Sequence, residues 1–189
     1  MIALDHEVFC YLISLYYKKK NSLDEDHPKL NKQMLERLTE LLFQFNIVPG
    51  VDWDGNFHAD IAKNWIEKSL EWALANDRFE VVQQTIGGAL AHAQVDEHGL
   101  ISETLMEVLD ARNNEEMRTG FLIGVLNKRG VHFIDPEGKA EQKLSEKYNG
   151  IADIVEQKGY SRFSETLRKI AQNYILEAER IIREYGSNQ

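Results

Sequence analysis

Four groups of residues have types and spacings that could do chemistry. Asp52-x-Asp54-Gly55-Asn56 sets oxygen donors ahead of a sharp turn, as a calcium loop does. An EF-hand loop carries a chelating Glu at its twelfth position, but counting from Asp52 that position is Lys63, and Gly55 arrives two residues early. The segment therefore reads as a turn. His92, Asp96, Glu97 and His98 offer nitrogen and oxygen ligands for a hydrolytic metal. The helical His-x-x-x-His pair of such sites is missing, so a solvated helix end is the preferred reading. Cys10 lies one helical turn after His6, which could act as the base that a nucleophilic thiol needs. Its apolar neighbours instead favour a buried, inert thiol.

The fourth group is Asn127-Lys128-Arg129-Gly130-Val131-His132, a basic island in an acidic chain. At a helix C-terminus, Lys128 and Arg129 suit the negative end of the dipole and Gly130 suits the left-handed capping position. The same cations could dock a carboxylate, a phosphate or an acidic partner. Asn127, Lys128, Arg129 and His132 are the candidate partner contacts.

Other chemistries lack their motifs. Gly87-Gly88 has no following Gly-Lys-Ser/Thr and no preceding strand, so it is no phosphate loop, and no Gly-x-Ser-x-Gly elbow occurs. No catalytic residue, metal or cofactor is expected from these patterns. The net charge of −9 opposes general nucleic-acid binding, which needs a basic face to displace counterions. The excess is uneven: Glu137 to Gln189 carries nine acidic and nine basic residues, whereas the preceding residues carry 22 acidic and 13 basic. The single cysteine cannot form an internal disulfide and points to a reducing compartment, the cytoplasm. No apolar run reaches the roughly 20 residues of a membrane span, and the start lacks the basic region of a signal peptide.

The elements that must position these groups are helices. Apolar residues recur at helical spacing through most of the chain, and the three prolines fall at element boundaries. The pattern predicts helices from about Leu4 to Lys19, with Val8, Leu12, Leu15 and Tyr16 on one side, from Pro28 with the core set Leu30, Met34, Leu38, Leu41, Leu42 and Phe45, and from about Ala59 to Ala75 through Ile61, Trp65, Ile66, Leu70 and Ala73. Asp77 with Glu80 suggests a capping box for a fourth, running to about Ala93 with Gly87-Gly88 inside it at a cost in helix propensity. Ser102 would cap a fifth, and Asn113 or Asn114 a sixth in which Gly120 and Gly124 leave a groove for a neighbouring helix. Val131 to Ile134 is the one plausible strand. Two long helices, about Pro136–Gln157 and Ser161–Tyr185, joined by Lys158-Gly159-Tyr160, should form an antiparallel hairpin. No repeat at a fixed period supports a solenoid.

Glu116-x-x-x-Gly120-Phe121-x-x-Gly124-x-x-Asn127-x-Arg129-Gly130-Val131 resembles a recurrent region of uncharacterised bacterial proteins. Ala140-Glu141-x-x-Leu144-x-x-Lys147-Tyr148 and Leu167-Arg168-x-Ile170-Ala171-x-x-Tyr174-x-x-Glu177-Ala178 extend the likeness. Ile47-x-Pro49-Gly50, Trp65 and Ile86-Gly87 also fit, so it covers most of the chain after about residue 40. The chain departs at Leu100-Ile101, where that group carries a Trp-Pro pair. The resemblance implies an accessory region, often C-terminal in a longer protein, and no activity.

The expectation is an all-α, irregular bundle of seven or eight helices forming one domain: an acidic body over 1–134 and a helical hairpin over 135–189 packed on it. Its expected role is a non-enzymatic protein-interaction or scaffolding module. The partner would be another protein, the remainder of a longer chain, or a second copy of this one; no membrane is expected and nucleic acid is disfavoured. The alternative is an enzyme or ligand-binding domain, such as a metal-dependent hydrolase, whose site assembles from residues distant in sequence.

Overall fold

The computed structural model describes residues 5–20, 27–130 and 135–185. Eight helices account for their regular structure: α1 (His6–Tyr16), α2 (Lys32–Phe43), α3 (Ala59–Ala75), α4 (Phe79–Leu90), α5 (Glu103–Asp110), α6 (Glu115–Lys128), α7 (Lys139–Gln157) and α8 (Ser161–Tyr185). The all-α expectation holds, and among the described residues the only β pairing is an isolated antiparallel bridge between Val51 and Phe57. The expected strand at Val131–Ile134 lies outside the described residues, as does His132. No described helix is long and apolar enough to cross a membrane.

One buried cluster draws on all eight helices, from Phe9 on α1 to Tyr174 on α8. In its N-terminal part the Phe9 ring stacks against Phe45 at 5.2 Å and tilts onto Trp65 at 4.9 Å, tying α1 and α3 to the chain that leaves α2. The buried stripe of α1 is Phe9, Cys10 and Ile13, not the Val8–Leu12–Leu15 face expected from spacing. That helix is apolar nearly all round, so periodicity alone does not choose its inner face. On α2 only Leu38 and Leu42 are buried, while Met34 and Leu41 of the expected core set are exposed.

The centre of the fold is the crossing of α4 and α6. A Cβ on Gly87 would lie 1.9 Å from the Met117 carbonyl oxygen, and one on Gly120 would lie 2.1 Å from that of Gln84. Only glycine lets the two backbones come this close. Gly120 and Gly124 thus leave room for a helix as expected, and the helix they admit is α4, continuous through Gly87-Gly88.

Several starts differ from the local pattern. Helix α2 begins at Lys32, where Asn31 accepts a hydrogen bond from the Met34 N–H, and Pro28 lies outside it. Asp77 does not cap α4; it adopts φ 54°, and Arg78 takes the boundary position. The Arg78 guanidinium turns inward and donates to the carbonyls of Tyr17 and Asn76, binding the start of α4 to the end of α1. Helix α7 starts at Lys139 after Gly138 in the left-handed conformation, so Pro136 stands before it. The hairpin of α7 and α8 forms as expected, with Gly159 at φ 94° and the Tyr160 N–H donating to the Val155 carbonyl. The first turn of α8 is capped by a distant residue: the Asp110 carboxylate accepts from the N–H groups of Arg162 and Phe163.

Candidate functional site

The four groups have different fates. Asp52 accepts hydrogen bonds from the N–H groups of Asp54 and Asn56 and lies 2.8 Å from the His58 ring nitrogen. His58 first, and then the Asn56 N–H, hold its carboxyl down at about 2. With Gly55 at φ 85° these bonds build the turn that the sequence suggests. Asp96 likewise spends its carboxylate on the N–H groups of His98 and Leu100. Among the described residues no three His, Cys, Asp or Glu side chains are grouped to hold a metal. The structure therefore does not gather His92, Asp96 and His98 into one ligand set.

Cys10 is buried, and burial pushes its thiol up to about 11, against the lowering effect of a hydrogen bond with Ser69. Asp5 and Glu7 raise it further. The thiolate that a nucleophile requires is thus disfavoured.

The basic corner divides into an inward and an outward part. Arg129 closes the end of α6, and Gly130 follows at φ 59° as the capping reading expects. The Arg129 guanidinium is turned inward: it pairs with the fully buried Glu141 of α7 at 2.5 Å and lies over the Tyr174 ring of α8. It joins the end of α6 to both arms of the hairpin. Asn127 and Lys128 remain exposed.

These two residues stand at the edge of a cleft of about 550 Å³ that the sequence does not reveal. Its floor is the α4–α6 crossing, at Gly88, Gly120 and Gly124, and its other wall is the Phe43–Asn46 segment that ends α2. Phe43 is 76% exposed and Ile123 is 48% exposed, and both line the cleft. His92 also reaches it from beyond the end of α4. Burial, and then the charge of Lys128, lower the pKa of His92 from its ordinary value. Through Tyr17, Val81 and Gln84 the cleft continues into a second of about 410 Å³ beside Leu74 and Lys20. The two form a groove along the outer side of α4, roughly 18 Å long at 1.5 Å per residue.

Sequence reasoning finds Asn127 and Lys128 but misses Phe43, Ile123 and His92 as their companions. Residues 43 and 123 are 80 positions apart, and each alone is an ordinary apolar residue of a helix. The Gly120/Gly124 spacing is the signal nearest to the site. It marks the crossing that makes the floor, and not the walls.

No protein family, curated protein or solved structure matches this chain.

Proposed function

We propose that this chain is a non-enzymatic interaction module that seats an amphipathic helix of a protein partner in the groove along α4. The observation that carries this reading is the exposure of Phe43 and Ile123 in a cleft whose end holds Lys128. Apolar side chains grouped in a concave surface are what helix-in-groove recognition uses. About 18 Å of groove accommodates roughly three turns of a helix. Lys128 has no carboxylate partner among the described residues, so the seated helix should bring an acidic residue to that end. Outside its contact face the partner should be basic, because the body around the groove carries the chain's whole negative excess and would steer such a partner inward.

The test is affinity capture with the whole chain, comparing it with Ile123→Ser, Phe43→Ser and Lys128→Glu. All three changes are on exposed side chains and should leave the melting temperature within a few degrees. A partner retained by the wild type and lost from Ile123→Ser and Phe43→Ser, and weakened about tenfold by Lys128→Glu, supports the groove. Capture indifferent to all three variants overturns it.

A further inference from the structure

We infer that a second cavity, beneath the basic corner and between α5, α6, α7 and α8, binds a small apolar carboxylate. The cavity is about 130 Å³ and is enclosed by Leu100, Met106, Phe121, Val125, Ile151 and Leu167. The polar side chains that line it are Lys128, Lys147 and Tyr148. Mostly apolar side chains with a few grouped polar ones are the usual constitution of a small-molecule site.

Size sets the ligand's apolar part. An apolar cavity of about 150 Å³ in another protein takes up benzene, so this one suits roughly six carbon atoms. Its boundary is shaped by backbone as well as side chains. Gly99 turns there at φ 81°, and a Cβ on it would lie 2.9 Å from Ile151 Cδ1 and 3.9 Å from Lys147 Cε. The Gly99 turn therefore packs directly on Ile151 and on the stem of Lys147.

Charge sets the polar part. Neither Lys128 nor Lys147 has an ion-pair partner among the described residues, in a chain with nine more acidic than basic residues. The Lys147 ammonium lies 5.9 Å from the Tyr148 ring centroid, and that ring stacks on Tyr174. Burial, and then Tyr174, push the Tyr148 hydroxyl up to about 12, so it stays a protonated donor at neutral pH. Two lysines and a tyrosine line the cavity with no acidic side chain among them, which matches a carboxylate and opposes an amine. The cavity and the groove share Lys128, whereas Lys147 and Val125 line the cavity alone and so test it separately.

The test titrates the nitrogen-15-labelled chain with sodium hexanoate, 1-hexanol and hexylamine. Saturable shifts at the amides of Gly99, Val125 and Ile151 report occupancy. Hexanoate should bind in the millimolar range or tighter, with 1-hexanol and hexylamine at least tenfold weaker. Lys147→Ala, an exposed change that leaves the core intact, should weaken hexanoate about tenfold and leave 1-hexanol unaffected. Val125→Phe, checked for retained helicity, should abolish binding of both. Equal affinity for hexanoate and 1-hexanol, indifference to Lys147→Ala, or no saturable shift would each overturn the assignment.

Discussion

At the scale of the residue, Arg129 changes meaning most between sequence and structure. Its position at the end of a helix suggests a cation that meets the last carbonyls, or one held out toward a partner. The fold instead sets it against Glu141, which is fully buried, while Arg129 itself is 18% exposed. Removing one member of such a pair leaves the other charge to bear its desolvation. Arg129→Ala should therefore cost about 3 kcal/mol of stability in urea unfolding, and Arg129→Glu more, because it sets two carboxylates together. An effect below about 0.5 kcal/mol would mean that the pair is solvated and dispensable. His92 supplies the pH dependence at this scale. Its folded pKa is lowered by burial and by Lys128, so between that value and about 6.5 the unfolded chain binds more protons than the folded one. Stability should therefore rise with pH through that window and fall as pH drops below the ordinary histidine value. His92→Gln should flatten the slope there, and an unchanged slope would assign it to another group.

At the scale of the element, the glycines of the α4–α6 crossing separate backbone propensity from packing. Gly120→Ala gains up to about 1 kcal/mol in helix propensity. It also drives a methyl group to 2.1 Å from the Gln84 carbonyl oxygen, which backbone rigidity cannot relieve without parting the helices. Overpacking of this kind costs about 1–3 kcal/mol at ordinary core sites, and a backbone clash belongs at the upper end. Gly120→Ala should thus lower the unfolding free energy by about 2 kcal/mol net. Gly150→Ala, on α7 with nothing within 4 Å of the added carbon, should raise it by about 0.5–1 kcal/mol in the same urea titration. If both variants stabilise the protein, the close crossing is wrong. The same contrast explains which elements are legible in the sequence. Helices α3 and α8 match their predicted bounds; α3 buries Trp65, Ile66 and Ala73 but leaves Ile61 exposed, and α8 buries Phe163, Leu167 and Ile170. Their apolar stripes are set among polar residues, so one inner face is defined. Helix α1 lacks that contrast, and its inner face is misread. The starts at Asp77 and Pro136 are misread for another reason. Local capping chemistry competes there with distant partners: Arg78 is drawn to Tyr17, and Gly138 lies against Ala178.

At the scale of the whole molecule, packing is distributed unevenly, and the proposed groove lies where it is thinnest. Helix α2 buries only Leu38 and Leu42, whereas α8 buries nine side chains along one face. Thr39 of α2 reaches the Tyr16 hydroxyl at 3.3 Å, and just after the helix Phe45 stacks on Phe9. An element with so few buried apolar contacts opens at a lower free energy than the core does. The sequence does not show this asymmetry, because Leu30, Met34, Leu38, Leu41, Leu42 and Phe45 recur there at helical spacing. The cleft itself was not visible, because its walls come from helices brought together by the glycine crossing. Amide hydrogen exchange should accordingly find α2 among the first helices to exchange and the buried turns of α4, α6 and α8 among the last. Seating a partner helix closes the free side of that weak wall. Addition of a captured partner should therefore slow exchange most in residues 38–46 and the adjoining turns of α4 and α6, with little change in α7. Protection that rises evenly through the chain would instead indicate general stabilisation, and protection confined to α8 would move the partner to the terminal hairpin, where Leu176 and Ile182 are exposed.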